Sequence, residues 1–258
     1  MTSWERLTWK EIKEACGSKE SIAILPVGSV EQHGPHLPMG TDYLIADILS
    51  SEALKKLKEE GINALKLPPL PYGLSSMWAA YPGTVTLRTE TYISLVKDVI
   101  LSIISSGCTN ILIVNGHAGN SDALKVAARD AVEAAGKGAV AVTSVWEICG
   151  DLIDDLFETP FFHADEVETS LAMALGLRIT TTPQEGMEPH RKYSEKWHSL
   201  KLRVRPKAYV YRPESAGMHG EGHFGRPDLA TKNKGEKLKE CIIEGIKGLA
   251  LDLIEGRF

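Results

Sequence analysis

Thr109-Asn110-Ile111-Leu112-Ile113-Val114-Asn115-Gly116-His117-Ala118-Gly119-Asn120 is the stretch that decides the fold. Thr109 to Val114 is apolar without alternation, which reads as a strand buried on both faces of a parallel sheet. The polar run Asn115–Asn120 therefore lies at the strand's carboxyl end, and Ser121 to Ala135 follows as a helix. Outward from it the same pattern repeats. Ser21 to Val27 is a second buried strand, ending at Gly28. Residues 43–60 place Leu44, Ile45, Ile48, Leu49, Ala53, Leu54 and Leu57 at helical spacing, with Gly61 as the stop. Asn63 to Leu67 reads as a strand closed by Pro68-Pro69-Leu70-Pro71, residues 90–106 as a helix closed by Gly107, and Ala139 to Val145 as a further strand. A helix begins near Asp165 and runs to Leu177, and the last covers residues 230–255. Strand–helix alternation with strands apolar on both faces predicts one α/β domain over residues 1–258. Its form is a three-layer α/β/α sandwich with a mostly parallel central sheet. Residues 180–228 are Pro- and Gly-rich, with many Arg and Lys. They read as a β excursion plus loops forming a lid or a subunit contact.

Composition limits the function classes. A net charge of −5 argues against a general nucleic-acid binder. No basic run is long enough for a membrane-surface patch, and no stretch approaches the ~20 apolar residues that span a bilayer. The amino-terminal Met-Thr-Ser-Trp-Glu-Arg-Leu has no signal-peptide character. Cys16, Cys108, Cys149 and Cys241 lie far apart without paired spacing and are expected as reduced thiols of a cytoplasmic protein.

Ligands bind beyond the carboxyl ends of strands in such sheets, and two polar groups fall there. One is Glu31-Gln32-His33-Gly34-Pro35-His36 with Gly40-Thr41-Asp42; the other surrounds His117. Side chains at i and i+2 of an extended chain point the same way, so Glu31 and His33 can reach one centre or two adjacent ones. Mixed carboxylate and imidazole suits Zn²⁺, Mn²⁺ or Fe²⁺. The two oxygens of Asp42 can bridge a pair of ions, and such a pair both generates hydroxide and holds a carbonyl. Taken singly, Asp42 or Thr41 is equally a helix N-cap, and His33 or His117 a hydrogen-bonded structural histidine. Their common sheet edge favours the metal centre. In His163-Ala164-Asp165-Glu166-Val167-Glu168-Thr169-Ser170, Asp165 with Glu168 reads as a capping box, and Glu166 as a first-turn charge facing water. His163, just ahead of the cap, is a candidate general acid/base. His219-Gly220-Glu221-Gly222-His223 reads as a flexible loop, and His190 and His198 belong to no constellation. There is no G-x-S-x-G elbow and no phosphate-binding loop.

Together, Glu-Gln-His-Gly-Pro-His-Leu-Pro-x-Gly-Thr-Asp, Asn-Gly-His-x-Gly-Asn and His-Ala-x-Glu-x-Glu-Thr-Ser resemble the creatininase (creatinine amidohydrolase) family. Pro82-Gly83-Thr84 and Ala230-Thr231-x-x-x-Gly235 also fit its pattern. The resemblance implies two divalent metal ions per subunit, hydrolysis of a non-peptide C–N bond in a small molecule through a metal-bound hydroxide, and a homohexamer. By position, Glu31, Asp42 and His117 would hold one ion, His33 and Asp42 the other, and His163 would shuttle protons. Creatininases carry Asn-Gly-His-Tyr-Glu-Asn, whose Tyr contacts substrate and whose Glu completes the second site. Here those positions are Ala118 and Gly119, and Glu168 is the expected substitute ligand. One lid Trp of creatininases is matched by Trp146, while the other position is Thr159. The His-x-Gly-Asn form is similar to the branch that includes archaeal formamidopyrimidine deformylases and mycofactocin-precursor peptidases. A formamide, amide or cyclic amide is the expected substrate, with creatinine itself and a short peptide as the alternatives.

Overall fold

The computed structural model describes residues 3–187, 197, 201, 202, 204, 207–211 and 217–258. Helix α1 (Trp9–Ala15) starts at a capping box made by Thr8 and Glu11. Then β1 (Ile22–Val27), α2 (Thr41–Glu59), β2 (Ala64–Lys66), α3 (Thr89–Ser105), β3 (Asn110–Asn115), α4 (Ser121–Ala135) and β4 (Ala139–Ser144) alternate. Helices α5 (Val145–Ile148), α6 (Gly150–Leu156), α7 (Glu166–Ala174) and α8 (Lys232–Ile254) complete the α-helices and strands among the described residues. The sheet has the order β2-β1-β3-β4 with every pair parallel.

The non-alternating apolar strands follow from having a helical layer on each side. Ile22, Ile24, Leu112 and Val114 face α2 and the later helices α5 to α8. Ala23, Leu25, Val27, Ile111 and Ile113 face α1, α3 and α4. The chain leaves β1 over one face through α2 and reaches β3 over the other through α3. The strand order thus reverses between β1 and β3, which opens a crevice at their carboxyl ends. The start of α2 fills this crevice. A Cβ on Gly28 would overlap the backbone of Tyr43, and one on Gly116 would overlap the carbonyl of Asp42. Both strands therefore end in glycine where the helix must come close.

Three expectations need correction. The cysteines are paired, Cys16 with Cys108 and Cys149 with Cys241. Sequence spacing hid this because each pair is 92 residues apart in the chain and meets only through packing. The thiol argument for a reducing compartment falls with it. Glu166 does not face water: it is fully buried, and its carboxylate accepts the amides of Glu158 and Thr159 and pairs with Lys234 of α8 at 2.5 Å. Trp146 is no lid; it lies in the core against Phe161 and donates its indole N–H to the Gly116 carbonyl at 3.0 Å. Of residues 180–228, the described part includes a bridge between Met187 and Phe224, while His190 and His198 lie outside the described residues.

Gly116→Ala should lower unfolding free energy by about 1–3 kcal/mol through overpacking. Gly248→Ala, a helical site with open space around its Cβ, should raise it by ~0.5–1 kcal/mol. Urea titration of both variants checks this; an unchanged Gly116→Ala would show that α2 is not seated against the strand ends. Reducing the disulfides should also lower the urea midpoint, since cross-links spanning 92 residues are each worth roughly 4–5 kcal/mol in a chain-entropy model.

Candidate metal centre

Six side chains from both halves of the chain meet in the crevice, and none is more than 8% exposed: Glu31, His33, Asp42, His117, His163 and Glu168. Glu31 and His33 leave the end of β1 on a loop whose turn is fixed by backbone bonds, Glu31 N–H to Met39 O (2.9 Å) among them. The Gln32 amide N–H is held by the Thr84 hydroxyl at 3.1 Å, which gives the Pro-Gly-Thr motif its role. Gly40, not Thr41 or Asp42, is the N-cap of α2, and Asp42 makes no capping bond, so its carboxylate is left for the crevice. His117 follows β3. Asn115 grips its backbone from both sides, accepting the His117 N–H at 3.1 Å and donating to its carbonyl at 2.7 Å. Asn120 ties the same turn to Gly28 O and Leu74 N–H.

Helix α7 brings the remaining groups. Asp165 caps it, accepting the amides of Val167 and Glu168. The expected reciprocal box is absent: Glu168 instead takes the N–H of Ala164 at 2.5 Å. Ala164 sits at φ 47°, in the left-handed region, and this turn aims His163 and Glu168 at the same space.

The orientation of the rings is set from outside the centre. His33 Nδ1 lies 3.1 Å from Glu31 O, and His117 Nε2 lies 2.9 Å from Leu74 O. Only an N–H can bond a carbonyl, so the inward nitrogens, His33 Nε2 and His117 Nδ1, present lone pairs when the rings are neutral. His163 Nε2 lies 2.9 Å from Gln32 O and 2.9 Å from the Gln32 side-chain nitrogen, while its Nδ1 lies 3.7 Å from Glu31. Asp42 sends one oxygen each way, Oδ1 to His33 at 3.1 Å and Oδ2 to His117 at 3.0 Å. His117 also lies 3.4 Å from Glu31, and His33 lies 3.8 Å from Glu168.

Ligand-capable atoms thus group as Glu31, Asp42 and His117, as His33, Asp42 and Glu168, and as Glu31, His33 and His163, each set lying within 4.8 Å. Asp42 belongs to the first two sets. The donor set fits divalent ions by its own chemistry. Among the described residues Glu31 Oε2 is buried without a hydrogen-bond partner, and Asp42 Oδ2 is buried facing the His117 ring at 3.0 Å; such burial is costly for a carboxylate unless a cation faces it. Burial pushes Glu31 up to about 7 and Glu168 up to about 8. For Asp42, burial is overcome by His33 and His117, which hold its carboxyl well below the usual range. Burial also opposes charge on the two rings. Even so, Asp42 lifts His33 to about 10, and Glu31 with Asp42 lifts His117 to about 9. Protons on imidazole here occupy positions where cations would serve the same carboxylates. His163 differs, because burial and the neighbouring His33 drive it well below its ordinary value and keep it neutral.

Sequence reading missed the wall of this centre. Trp78 stacks on His163 with ring centroids 4.2 Å apart and planes at 16°, and His219 meets the same indole edge-on at 6.1 Å. Gln32 places its amide nitrogen 2.9 Å from His163 Nε2. The segment from Gly217 to Phe224 closes over them: Phe224 N–H bonds His163 O, and the Tyr81 hydroxyl accepts the His219 N–H at 2.6 Å. Trp78 lies in a loop beyond β2, and only its position off a strand end could have marked it. The backbone also explains Gly119. A Cβ there would enter the space between His117 Nε2 and Leu74 O, at 2.5 and 2.6 Å from them.

A three-layer fold with a buried carboxylate–imidazole centre beyond two parallel strands defines a class of metal-binding hydrolase. The creatininase family model, creatinine amidohydrolase, matches residues 5–249, and the chain belongs to that family. It is 28% identical to the creatinine amidohydrolase of Pseudomonas putida, over 93% of this chain and 92% of that one. Identity to the 3-dehydro-scyllo-inosose hydrolase of Thermotoga maritima is also 28%, over 98% and 83%. A mycofactocin precursor peptide peptidase of Mycobacterium ulcerans is 27% identical, over 83% and 78%. A crystal structure of creatinine amidohydrolase superposes with a TM-score of 0.77 at 25% identity, covering 96% of both chains. Creatininases described as "Zn-Zn type" and "Creatininase Mn" share the fold, with TM-scores of 0.77 and 0.75 at 24% identity over 96% of both chains. No described helix is long and apolar enough to cross a membrane.

Metal binding needs ionised carboxylates and neutral inward nitrogens. Groups that hold protons up to about 7, 8, 9 and 10 must release them when ions enter, so apparent affinity should rise with pH across the neutral range. Calorimetry at pH 7 in buffers of different ionisation enthalpy should show at least one proton released per ion; no release would contradict this wiring. Gly119→Glu, although it restores the creatininase residue, should weaken metal binding by displacing His117 from Leu74 O.

Proposed function

We propose that the chain is a two-metal amidohydrolase that cleaves a non-peptide C–N bond, in an amide, cyclic amide or formamide, of a small molecule. One observation carries this reading: Asp42 divides its two oxygens between two ligand groups. Glu31, Asp42 and His117 would hold one ion; His33, Asp42 and Glu168 would hold the other. Zinc, manganese or iron suits these donors. Bound there, such ions polarise a carbonyl and lower the pKa of water.

The chain's own residues supply the rest. His163, neutral with Nδ1 facing Glu31, can accept a proton from the attacking water and return it to the departing nitrogen. Gln32, through its backbone carbonyl and its side-chain nitrogen, each 2.9 Å from Nε2, holds the outer edge of the ring, and the Trp78 face prevents it from swinging away. The buried setting excludes bulk water, so the segment around His219 must move to admit substrate.

A formamidopyrimidine nucleotide is the substrate we favour, on the His-x-Gly-Asn motif and the absence of room for a glutamate at Gly119. Creatinine hydrolysis is the named activity of a relative matched over most of the chain, and short-peptide cleavage is that of another. Assaying a formamidopyrimidine, creatinine and a short peptide side by side with the metal-loaded protein separates the three. Hydrolysis of the peptide alone would overturn the non-peptide assignment. Light scattering tests the accompanying proposal of a homohexamer.

Asp42→Ala should lose both ions, whereas Glu168→Gln should lose one; metal analysis showing two ions in either variant would remove that residue from the ligand set. His163→Ala should keep both ions and lose about 10²–10⁴ in kcat.

A further inference from the structure

Beside the centre lies a second pair of buried imidazoles that the proposed reaction does not use. His36 is fully buried and His223 is 4% exposed. Among the described residues, neither Nδ1 of His36 nor either nitrogen of His223 has a hydrogen-bond partner. A neutral imidazole always carries one N–H and one lone pair, so His223 leaves both a donor and an acceptor unmatched by the described residues. The other nitrogen of His36 lies 2.9 Å from the Thr169 hydroxyl. With that Nε2 as the donor, His36 repeats the wiring of His33 and His117: one nitrogen bonded away, the other bare.

The two rings border one space. The point where a Cβ on Gly34 would sit lies 2.8 Å from Cβ of His223, 3.1 Å from His36 Nδ1 and 3.2 Å from Cγ of His223. Gly34, at φ 63°, lets His223 come this close to His36. The ring centroids are 5.6 Å apart with planes at 76°. Two imidazoles sharing one tetrahedral ion, at ~2.0–2.1 Å from each nitrogen, have centroids roughly 5–6 Å apart. Burial, His223 and His33 together lower His36 to about 4, which leaves its lone pair available at neutral pH.

The geometry points to a separate cation site at His36 Nδ1 and His223, for an imidazole-preferring divalent ion such as Zn²⁺, Cu²⁺ or Ni²⁺. The site joins two segments that matter to the centre. His36 lies on the loop that carries His33. His223 lies on the covering segment, where its carbonyl accepts the Met187 N–H at 3.1 Å and the next residue bonds His163 O. An ion here fastens the cover to the ligand loop without taking part in the reaction.

The test is a crystal of wild-type protein loaded with three equivalents of Zn²⁺ and desalted, with diffraction data collected on either side of the zinc absorption edge. An anomalous peak within ~2.2 Å of His36 Nδ1 and a His223 nitrogen is expected. Water, or no density, between the rings would overturn the proposal. The map places each ion separately, so this result stands apart from the occupancy of the Asp42 centre. In solution, His223→Gln should bind one zinc fewer than wild type, and unchanged stoichiometry in that variant would likewise overturn it.

Discussion

Three carboxylates buried together, with Asp42 shared between two ligand groups, are the constraint to which the rest of the structure answers. Glu31, Asp42 and Glu168 share a space from which water is almost excluded. Like charges at such range in a low-dielectric interior repel by several kcal/mol. Something cationic must enter, and without an ion it is protons, carried on His33 and His117 and on the raised carboxyls. The fold concentrates these groups because the chain reverses its winding between β1 and β3. Two strand ends and one helix start therefore converge, and glycine at each strand end lets α2 come close enough for Asp42 to reach both sides.

How much of this was legible in the sequence depended on the range of the interaction. The strands β1 and β3 and the helix Ser121–Ala135 follow from local apolar patterns, and their ends agree to within a residue or so. Glu31, His33, Asp42 and His117 were visible because strand ends in a parallel sheet share one edge. Glu168 was legible only through the gap at Gly119. What stayed hidden depended on partners far away in the chain. Glu166 reads as a solvated first-turn acid until Lys234, 68 residues on, supplies the buried counter-charge. The disulfides, the Trp78–His163 stack and the burial of His223 are long-range in the same way. Local pattern also gave the wrong cap, since Thr41 and Asp42 look like better N-caps than Gly40.

In the proposed site, taking a ligand from α7 and not from the β3 turn changes what holds the centre together. The β3 turn is clamped by Asn115 and Asn120 and leaves no room for a side chain at Gly119. Glu168 instead depends on where α7 begins. That start is set by Asp165 bonding three amides, by Ala164 in a left-handed conformation, and by Glu166 anchored to Lys234. A left-handed alanine costs about 1–2 kcal/mol, so the surrounding bonds must outweigh it. The same turn delivers His163, so the proposed second-ion ligand and the proposed proton carrier are positioned by one device. A shift in α7 would therefore move both together and leave Glu31, Asp42 and His117 in place. The two halves of the centre are mechanically distinct, one built on the sheet and the other on a helix packed against α8.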